Sequence, residues 1–397
     1  MEAIVVGAGQ AGVATSQALA QRGVDHVVLE RGLIGDTWRT RRWDTFRMVT
    51  LNWMNALPGQ SVDAPDAFAT APDFADGLAA YVRSNGLPVH ENAPVVSARP
   101  GPHGFTVDTA DATYRARSIV VASGFQWHPR LPDGAATLPG AVFGLHSSAY
   151  RGPAQLPDGA VVVVGTAQSG MQIALDLARA GRRVFVCTSR TRRLPRRHRG
   201  QDSFRWWKTI GILDQRPADL ADPAVMRLPQ PVLSGAEGGR SISYHQLARE
   251  GVTLLGRLLH VDRGTLVLAE DRDQNVAYAE TAAAAFRREI DTYIETQGLT
   301  APASEPDPAD DTHALPPAPP TLDLAGHGVG TVLWCTGYVP HMPWLTVPET
   351  HPGIQVIGRP WLTHRASGIL HGMPVDAARV AQAMAGGGRT MPAAADR

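Results

Sequence analysis

Two segments of this chain share one order of elements, a buried strand, a glycine-containing turn and a helix, and this repeat constrains the fold more than any other feature. In the first segment the apolar run 2–6 leads into Gly7-Ala8-Gly9-Gln10-Ala11-Gly12. An alanine-rich helical pattern over 11–22 and a second apolar run over 27–29 complete a parallel strand–helix–strand unit. In such a turn the first glycine permits the tight bend, the second lets a pyrophosphate approach the backbone, and the third permits close helix–strand packing.

The second segment repeats this order. An apolar strand over 160–164 leads into Gly165-Thr166-Ala167-Gln168-Ser169-Gly170, a helical pattern over 171–179 and a strand over 184–186. Here Ala167 replaces the middle glycine, and its methyl group limits how closely the backbone can approach a pyrophosphate. The two units predict an α/β fold with two Rossmann-like dinucleotide-binding domains.

The second domain is predicted to be an insertion in the first. A buried strand over 329–335 indicates that the chain returns to the first domain, which gives 1–155 and 326–397 for the first domain and 156–325 for the second. Residues 300–321 are rich in Pro, Ala and Asp and have too little apolar content to pack. We expect a surface loop there, with disorder as an alternative.

Composition excludes several classes of protein. Basic and acidic residues number 37 each, so no global field favours nucleic acid or an anionic membrane. No run approaches the roughly 20 apolar residues of a membrane span. Cys187 and Cys335 are the only cysteines, and their separation excludes a Cys-x-x-Cys redox pair. We therefore expect a cytoplasmic protein without a nucleic-acid, membrane or metal partner; a homodimer is left open.

An acidic residue at the end of the second strand strengthens the first motif. Glu30 follows Gly7 at the distance where a carboxylate accepts hydrogen bonds from ribose hydroxyls. Arg31, beside it, is a further candidate cofactor-binding residue. These residues predict a bound dinucleotide but do not distinguish FAD from NAD.

The residues that follow carry a family resemblance. Gly35-Asp36-Thr37-Trp38-Arg39, the segment 46–53 and Leu57-Pro58-Gly59 resemble the class B flavin-containing monooxygenases, in particular the bacterial single-chain members related to plant YUCCA enzymes. Those proteins carry a Gly-Gly-Thr-Trp-like segment at the flavin and a Val-Thr-Pro-Asn-Trp-like segment beside it. Asp36 stands for the second Gly and Leu51 for the Pro. The resemblance implies FAD at the first motif, with Thr37 and Trp38 at the flavin.

Two further strand ends resemble the Ala-Thr-Gly segments of flavoproteins with two dinucleotide sites. They are Val121-Ala122-Ser123-Gly124 and Trp334-Cys335-Thr336-Gly337-Tyr338. The resemblance implies that Gly124, Thr336 and Gly337 pass near the cofactors. The segment 361–372 resembles the final flavin-side loop of the family, and a helix over 376–384 is expected to direct its positive end at the flavin.

The segment between the two domains resembles the identifying motif of the family, F-x-G-x-x-x-H-x-x-x-Y. Leu138-Pro139-Gly140 is followed by His146 and Tyr150, although five residues rather than three separate Gly140 from His146. The related Baeyer–Villiger enzymes carry Trp at the position of Tyr150. The resemblance implies a linker whose histidine supports domain closure; the alternative is a histidine held by backbone bonds in a hinge.

The end of the strand after the second motif indicates the nicotinamide cofactor. Instead of the carboxylate of an NAD site, the chain has Cys187-Thr188-Ser189-Arg190. The Ser189 hydroxyl and the Arg190 guanidinium suit a ribose 2′-phosphate, so NADPH is favoured over NADH. Similar bacterial sequences have Gly-x-Ala-Gln-Ser-Gly at the second turn, which implies that Gln168 and Ser169 bind the cofactor despite Ala167. The alternative is a solvated basic loop that touches no cofactor.

The resemblance implies a monooxygenase in which NADPH reduces the flavin, O2 adds to give a flavin peroxide, and one oxygen atom passes to a small organic substrate. It places Asn52 beside the reactive edge of the flavin; the alternative is an asparagine that stabilises a turn. N- or S-oxygenation and oxidative decarboxylation of a 2-oxo acid stay open. Other readings are a Baeyer–Villiger enzyme, an NADPH oxidase and a non-catalytic flavin-binding protein. A disulfide reductase would need a cysteine pair.

Overall fold

The computed structural model of the chain describes residues 1–126 and 128–385. Its strands are β1 Ala3–Val6, β2 His26–Leu29, β3 Val89–His90, β4 Val95–Gly101, β5 Gly104–Thr109, β6 Thr113–Ala116, β7 Ser118–Val121, β8 His128–Pro129, β9 Phe143–His146, β10 Ala160–Val164, β11 Val184–Cys187, β12 Arg197–His198, β13 Gln201–Asp202, β14 Thr253–Leu255, β15 Leu258–Asp262, β16 Thr265–Leu268, β17 Thr321–Asp323, β18 Val329–Trp334, β19 Tyr338–Val339 and β20 Ile354–Val356. Its α-helices are α1 Gln10–Ala20, α2 Asp36–Thr40, α3 Asn52–Asn55, α4 Ala71–Ser84, α5 Gln168–Arg179, α6 Ser203–Thr209, α7 Tyr244–Arg249, α8 Arg272–Thr296 and α9 Met373–Ala385. Residues 386–397, predicted as part of the first domain, lie outside the described residues.

The first sheet has the order β20-β7-β1-β2-β3, and every pair in it is parallel. Because successive side chains of a strand point to opposite faces, β1 contributes to two cores. Ala3 and Val5 pack on the face covered by α1 and α9. Ile4 and Val6 pack against the antiparallel sheet β4-β5-β6 on the other face. Burial on both faces explains the continuous apolar run of the strand.

The second sheet has the order β14-β11-β10-β18-β9 and is also parallel throughout. Its central strand repeats the two-faced packing of β1. Val161 and Val163 share a core with Ala3 and Val5 of the first sheet, so the helical faces of the two sheets form one continuous core. Val162 packs on the other face, near the antiparallel sheet β15-β16-β17. The predicted α/β fold with two Rossmann-like units is therefore confirmed.

The predicted boundaries of the second unit are wrong at both ends. β9 and β18 both lie in the second sheet, although the sequence placed them in the first domain, within 1–155 and 326–397. The chain returns to the first sheet only at β20, which pairs with β7. The reason is that a short apolar run shows that a strand is buried but not which of two parallel sheets it joins. The second sheet is still an insertion, since the strands of the first sheet flank it in sequence.

Residues 300–321 lie on the surface, as expected, but they are held by polar contacts to the second unit. Asp310 accepts a hydrogen bond from the buried Arg193 at 2.7 Å and forms an ion pair with Arg287 at 2.6 Å. Ala309 is buried, and the Ser241 hydroxyl donates to Asp307. Low apolar content excluded a hydrophobic core here but not an anchored segment. Among the described residues, no helix is both long and apolar enough to cross a membrane.

Candidate active site

The first glycine turn has a geometry that only glycine permits at two positions. Gly7 has φ +107°, and a Cβ atom there would lie 2.7 Å from the carbonyl oxygen of Ala122. A Cβ atom on Gly12 would lie 1.8 Å from the oxygen of Gly7. Gly9 differs, since a Cβ atom on it would meet nothing within 4 Å. Its missing side chain therefore leaves space in the cleft that it lines.

The second turn repeats this geometry with one methyl group added. Gly165 has φ +99°, and a Cβ atom on it would clash with the carbonyl oxygen of Cys335. A Cβ atom on Gly170 would lie 1.9 Å from the carbonyl oxygen of Gly165. Ala167 adopts φ −73° and ψ −169°, close to the −75° and −173° of Gly9. Ala167 thus fits the same backbone conformation without strain.

The N-terminus of α1 faces a large cleft. The helix has no side-chain cap and no acidic residue in its first turn, so its first N–H groups and its positive end can bind an anion. The cleft has an empty volume of about 1430 Å³, open mouth included. It brings together most of the residues predicted for the first site, namely Gly7, Gly9, Gln10, Glu30, Arg31, Thr37, Trp38 and Gly124. Gly12 lies behind the turn, where it permits packing.

Glu30 is held at the edge of this cleft by backbone donors. Its carboxylate accepts hydrogen bonds from the N–H groups of Ala8 at 2.6 Å and Gly32 at 3.2 Å. Burial raises the pKa of Glu30, and the two backbone bonds oppose that shift. The carboxylate is therefore oriented in advance for an acceptor role toward ribose hydroxyls.

Two further side chains shape the first cleft. The buried Ser123 hydroxyl lines the cleft and has no hydrogen-bond partner in the described chain, so it is available to a ligand. Trp38 donates from Nε1 to Oε1 of Gln10 at 3.0 Å and packs edge-on against Phe74. The indole is thereby fixed as a wall of the cleft. Ser123 was not among the predicted site residues, although Gly124, which follows it, was.

At the second turn, Leu233, from the irregular segment between α6 and α7, lies against the start of α5. The Gln168 side chain donates to the carbonyl of Leu233 and accepts from its N–H at 3.3 Å. Gln172 also donates to the Leu233 carbonyl, at 3.1 Å. The cavity beside Thr166 has only about 180 Å³ of empty space. Leu233 is thus held against the start of α5 by two glutamine side chains.

The residues predicted to bind the 2′-phosphate have different surroundings. Ser189 Oγ lies 2.9 Å from the Thr166 hydroxyl, so it is engaged within the turn. Arg190 is exposed and lies over the ring of Tyr278, with Cζ 4.5 Å from the ring centroid. Arg193, which follows, is paired with Glu280 and Asp310. Arg190 is thus the more available of these two arginines for a phosphate.

The predicted linker histidine ends β9 of the second sheet and is held by backbone and hydroxyl groups. His146 Nε2 lies 3.0 Å from the carbonyl of Gly337, which fixes the N–H on that nitrogen, and Nδ1 accepts from the N–H of Ser148 at 3.2 Å. Burial lowers the pKa of His146, and Arg41 lowers it further. These contacts agree with the alternative that His146 is held by backbone bonds in a hinge.

Thr336 and Gly337 were predicted to pass near the cofactors. Thr336 donates to the Arg130 carbonyl, and neither residue lines the first cleft.

The second linker residue, Tyr150, is fully buried and donates to Asp176 of α5 at 2.8 Å. The same carboxylate accepts from Thr45 at 2.7 Å. Asp176 was not predicted, because nothing local in its helical sequence indicates partners 26 and 131 positions away.

Asn52 lies outside the first cleft. Its amide donates to the carbonyl of Ala64 at 3.2 Å and accepts from the N–H of Ala69 at 3.1 Å, so it fastens the loop that follows α3. It lines a separate cavity of about 560 Å³, whose wall includes Phe74. These contacts match the turn-stabilising alternative. A flavin-side role for Asn52 stays a prediction.

The C-terminal helix begins earlier than predicted, at Met373 rather than Asp376. Asp376 is therefore inside its first turn, fully buried, and accepts from the Thr363 hydroxyl. A carboxylate at this position offsets part of the positive helix end. Gly358 and Gly368, on the segments before α9, line the first cleft.

The fold and the two turns define a flavoprotein with two dinucleotide sites. The model of the pyridine nucleotide-disulphide oxidoreductase family matches residues 4–207, and the chain belongs to this family. A protein of Geobacillus kaustophilus described as an uncharacterized oxidoreductase CzcO-like is 34% identical over 217 residues, 54% of this chain and 62% of that protein. Indole-3-pyruvate monooxygenase YUCCA4 of Oryza sativa subsp. japonica is 32% identical over 268 residues, 59% of this chain and 61% of that protein. The chain thus spans about three fifths of the length of these two relatives.

A solved structure has the same fold over almost the whole chain. The flavin-containing monooxygenase from Stenotrophomonas maltophilia superposes with a TM-score of 0.62 at 16% identity, and covers 97% of this chain and 98% of its own. It confirms the predicted fold with two dinucleotide-binding units, and the YUCCA relative agrees with the resemblance to the flavin-containing monooxygenases. The family model agrees with a pyridine-nucleotide cofactor, and FAD with NADPH stays the predicted pair.

Proposed function

We propose that this protein is an NADPH-consuming monooxygenase that transfers one oxygen atom of O2 to a small organic substrate. FAD is assigned to the first turn and NADPH to the second. The observation that carries this assignment is the contrast between the two turns. The first opens into a cleft of about 1430 Å³, whereas the second carries the extra methyl of Ala167 and is closed by Leu233. Such a pair suits one cofactor that stays bound and one that exchanges.

The positions of the two cysteines support an oxygenase over a disulfide reductase. Cys187 ends β11 and Cys335 follows β18, and β10 lies between these two strands. Two inter-strand spacings separate the cysteines by about 9–10 Å, which is beyond the reach of a disulfide. Burial raises the pKa of each thiol to about 12, so neither is a thiolate nucleophile. The described chain therefore has no thiol pair to pass electrons from a flavin to a disulfide.

The residues of the chain would bind, orient and shield the cofactors. The N–H groups at the start of α1 would hold the FAD diphosphate, Glu30 would accept from the ribose, and Ser123 would donate to or accept from the bound flavin. Trp38, packed against Phe74, excludes water from one wall of the cleft. Bound FAD supplies hydride acceptance and the activation of O2.

Turnover under isotopically labelled dioxygen tests this proposal. The FAD-loaded protein is supplied with NADPH and, in separate reactions, with an amine, a sulfide, a ketone and a 2-oxo acid. We expect one labelled oxygen atom in the product of one substrate class and NADPH consumption in proportion to it. An ester from the ketone would indicate Baeyer–Villiger activity. Hydrogen peroxide in proportion to NADPH, without labelled product, would indicate an oxidase.

A non-catalytic flavin-binding protein is the second candidate, and Ala167 with the closed second site is the observation that favours it. Anaerobic addition of NADPH distinguishes the two. Bleaching of the flavin absorbance is expected for the enzyme, and an unchanged spectrum would favour the binding protein. The products formed under labelled dioxygen distinguish N-oxygenation, S-oxygenation and decarboxylation.

A further inference from the structure

One arginine on the wall of the first cleft has no acidic partner. Arg42 is partly buried, and its guanidinium donates to two neutral acceptors, the carbonyl of Arg41 at 2.9 Å and Oε1 of Gln126 at 3.0 Å. Within residues 1–126 and 128–385 it forms no ion pair with a carboxylate. Cations removed from water are usually paired with an anion, so Arg42 is an exception that needs a physical reason.

Aromatic contacts hold this guanidinium in place. Its Cζ lies 4.7 Å from the ring centroid of Trp38 and 5.5 Å from that of Phe46. A guanidinium stacks well on aromatic rings and keeps its edge donors available. Trp38 is itself bonded to Gln10, the first residue of α1. Arg42 therefore shares one rigid wall with the N-terminus of α1.

Neighbouring arginines repel the charge of Arg42. Burial lowers the pKa of Arg42, and the like charges of Arg41 and Arg151 lower it further, whereas Tyr338 raises it. Glu30 and Asp36 also line the cleft, but neither forms an ion pair with Arg42. The first turn of α1 has no acidic residue to offset the positive helix end. An anion in this cleft would relieve the repulsion and complete the site.

We propose that Arg42 binds the diphosphate of FAD, together with the N-terminus of α1. A diphosphate offers several oxygens to a planar guanidinium, which binds phosphate through two parallel hydrogen bonds. The nicotinamide dinucleotide carries the same group, and the position of Arg42 beside Gly9 and Gln10 in the first cleft favours that of FAD. This assignment rests on the proposed placement of FAD at the first turn.

Flavin titrations of the FAD-free full-length chain test the proposal. Arg42→Gln should raise the Kd of FAD about 10- to 100-fold, and should leave the Kd of riboflavin, which has no phosphate, unchanged. Arg42→Lys keeps the charge and should lose less FAD affinity than Arg42→Gln. Arg39→Gln is the matched control, since Arg39 pairs with Asp76 at 2.7 Å and does not line the cleft. The control should bind both flavins as the wild type does.

Three results would overturn the proposal. The first is an unchanged FAD Kd in folded Arg42→Gln. The second is an equal loss of FAD and riboflavin affinity, which would indicate a structural role. The third is a raised Kd of NADPH with an unchanged Kd of FAD, which would assign the guanidinium to the other dinucleotide. Circular dichroism and thermal melting of the FAD-free proteins check folding; if Arg42→Gln is unfolded, Arg42→Lys decides by the same criteria. Failure of the wild type to bind FAD would instead remove the proposed function.

Discussion

The hydroxyl of Tyr150 donates to Oδ2 of Asp176 at 2.8 Å, and through this bond the segment between β9 and β10 of the second sheet is fastened to α5, the helix of the second glycine turn. Thr45, from the first unit, donates to the other oxygen of the same carboxylate at 2.7 Å. Burial, followed by the neighbouring Asp176 charge, raises the pKa of Tyr150 well above its usual value, so the phenol stays a donor at every working pH. One carboxylate thus connects the linker, the first unit and the second unit.

Tyr150→Phe should lower the free energy of unfolding by about 1–2 kcal/mol, because a partly buried carboxylate loses a hydrogen bond while the packing of the ring is kept. Urea unfolding followed by tryptophan fluorescence measures the change. Thr45→Ala is the matched control: Thr45 is exposed, so its loss should cost less. A Tyr150→Phe protein as stable as the wild type would show that the bond contributes nothing net.

Gly9→Ala should give a folded but colourless protein. The fold has room for the methyl group, since a Cβ atom there meets nothing within 4 Å. The methyl group would instead occupy the space through which a diphosphate approaches the backbone. Flavin absorbance per protein, with the melting temperature of the FAD-free form as a folding control, measures this. Full yellow colour would contradict the assignment of FAD to the first turn.

Ala167→Gly is the reverse change at the equivalent position of the second turn. Because Ala167 has nearly the same backbone angles as Gly9, removal of its methyl group should lower the Kd of NADPH and leave FAD content unchanged. Titration of NADPH against the flavin-loaded protein is the measurement. A weaker or unchanged affinity would show that the methyl group does not face the cofactor.

Arg190→Ala should weaken the binding of NADPH more than that of NADH. The guanidinium is exposed on the Tyr278 ring and can reach a 2′-phosphate that NADH lacks. The two dissociation constants, measured on the same protein, give the result as a ratio. Equal losses for both cofactors would remove Arg190 from phosphate recognition and favour a solvated basic loop.

The stability conferred by His146 should depend on pH. Burial lowers its pKa below the ordinary value of 6.5, so the unfolded chain takes up the proton before the folded chain does. The contribution is present above that value and is lost as the pH falls through the lowered pKa. Between about pH 8 and pH 5, the melting temperature of the wild type should fall relative to His146→Gln, which keeps a donor for Gly337. The control His103→Gln, at an exposed histidine, should show no such trend.

The glycine turns were predictable because their requirement is local. Gly7, Gly12, Gly165 and Gly170 are demanded by backbone angles or by contacts within the same strand–turn–helix unit. The contact between the third glycine and the carbonyl oxygen of the first is present in both turns. The sequence pattern, together with the family resemblance, therefore specified the two Rossmann-like units and eight of the residues that line the first cleft.

The contacts that the sequence did not reveal are long-range. The bond between Gln168 and Leu233 spans 65 positions and joins a helix start to an irregular segment. The pairing of β18 with β10 depends on which of two sheets an apolar strand enters, and composition does not encode that choice. Asn52 lies in a segment that resembles the flavin-side segment of the family, yet its side-chain amide forms hydrogen bonds with the adjacent loop. The orientation of a polar side chain follows from neighbours that no short segment specifies.

The near-identity of the backbone at Gly9 and Ala167 gives this chain an internal comparison, in which two nucleotide cradles differ by a single carbon atom. Tight binding suits a prosthetic group that stays bound through many turnovers. Weaker binding suits a hydride donor that dissociates after each turnover. Under the proposed function, the extra methyl group and the contact with Leu233 would shorten the residence time of the nicotinamide dinucleotide relative to that of FAD.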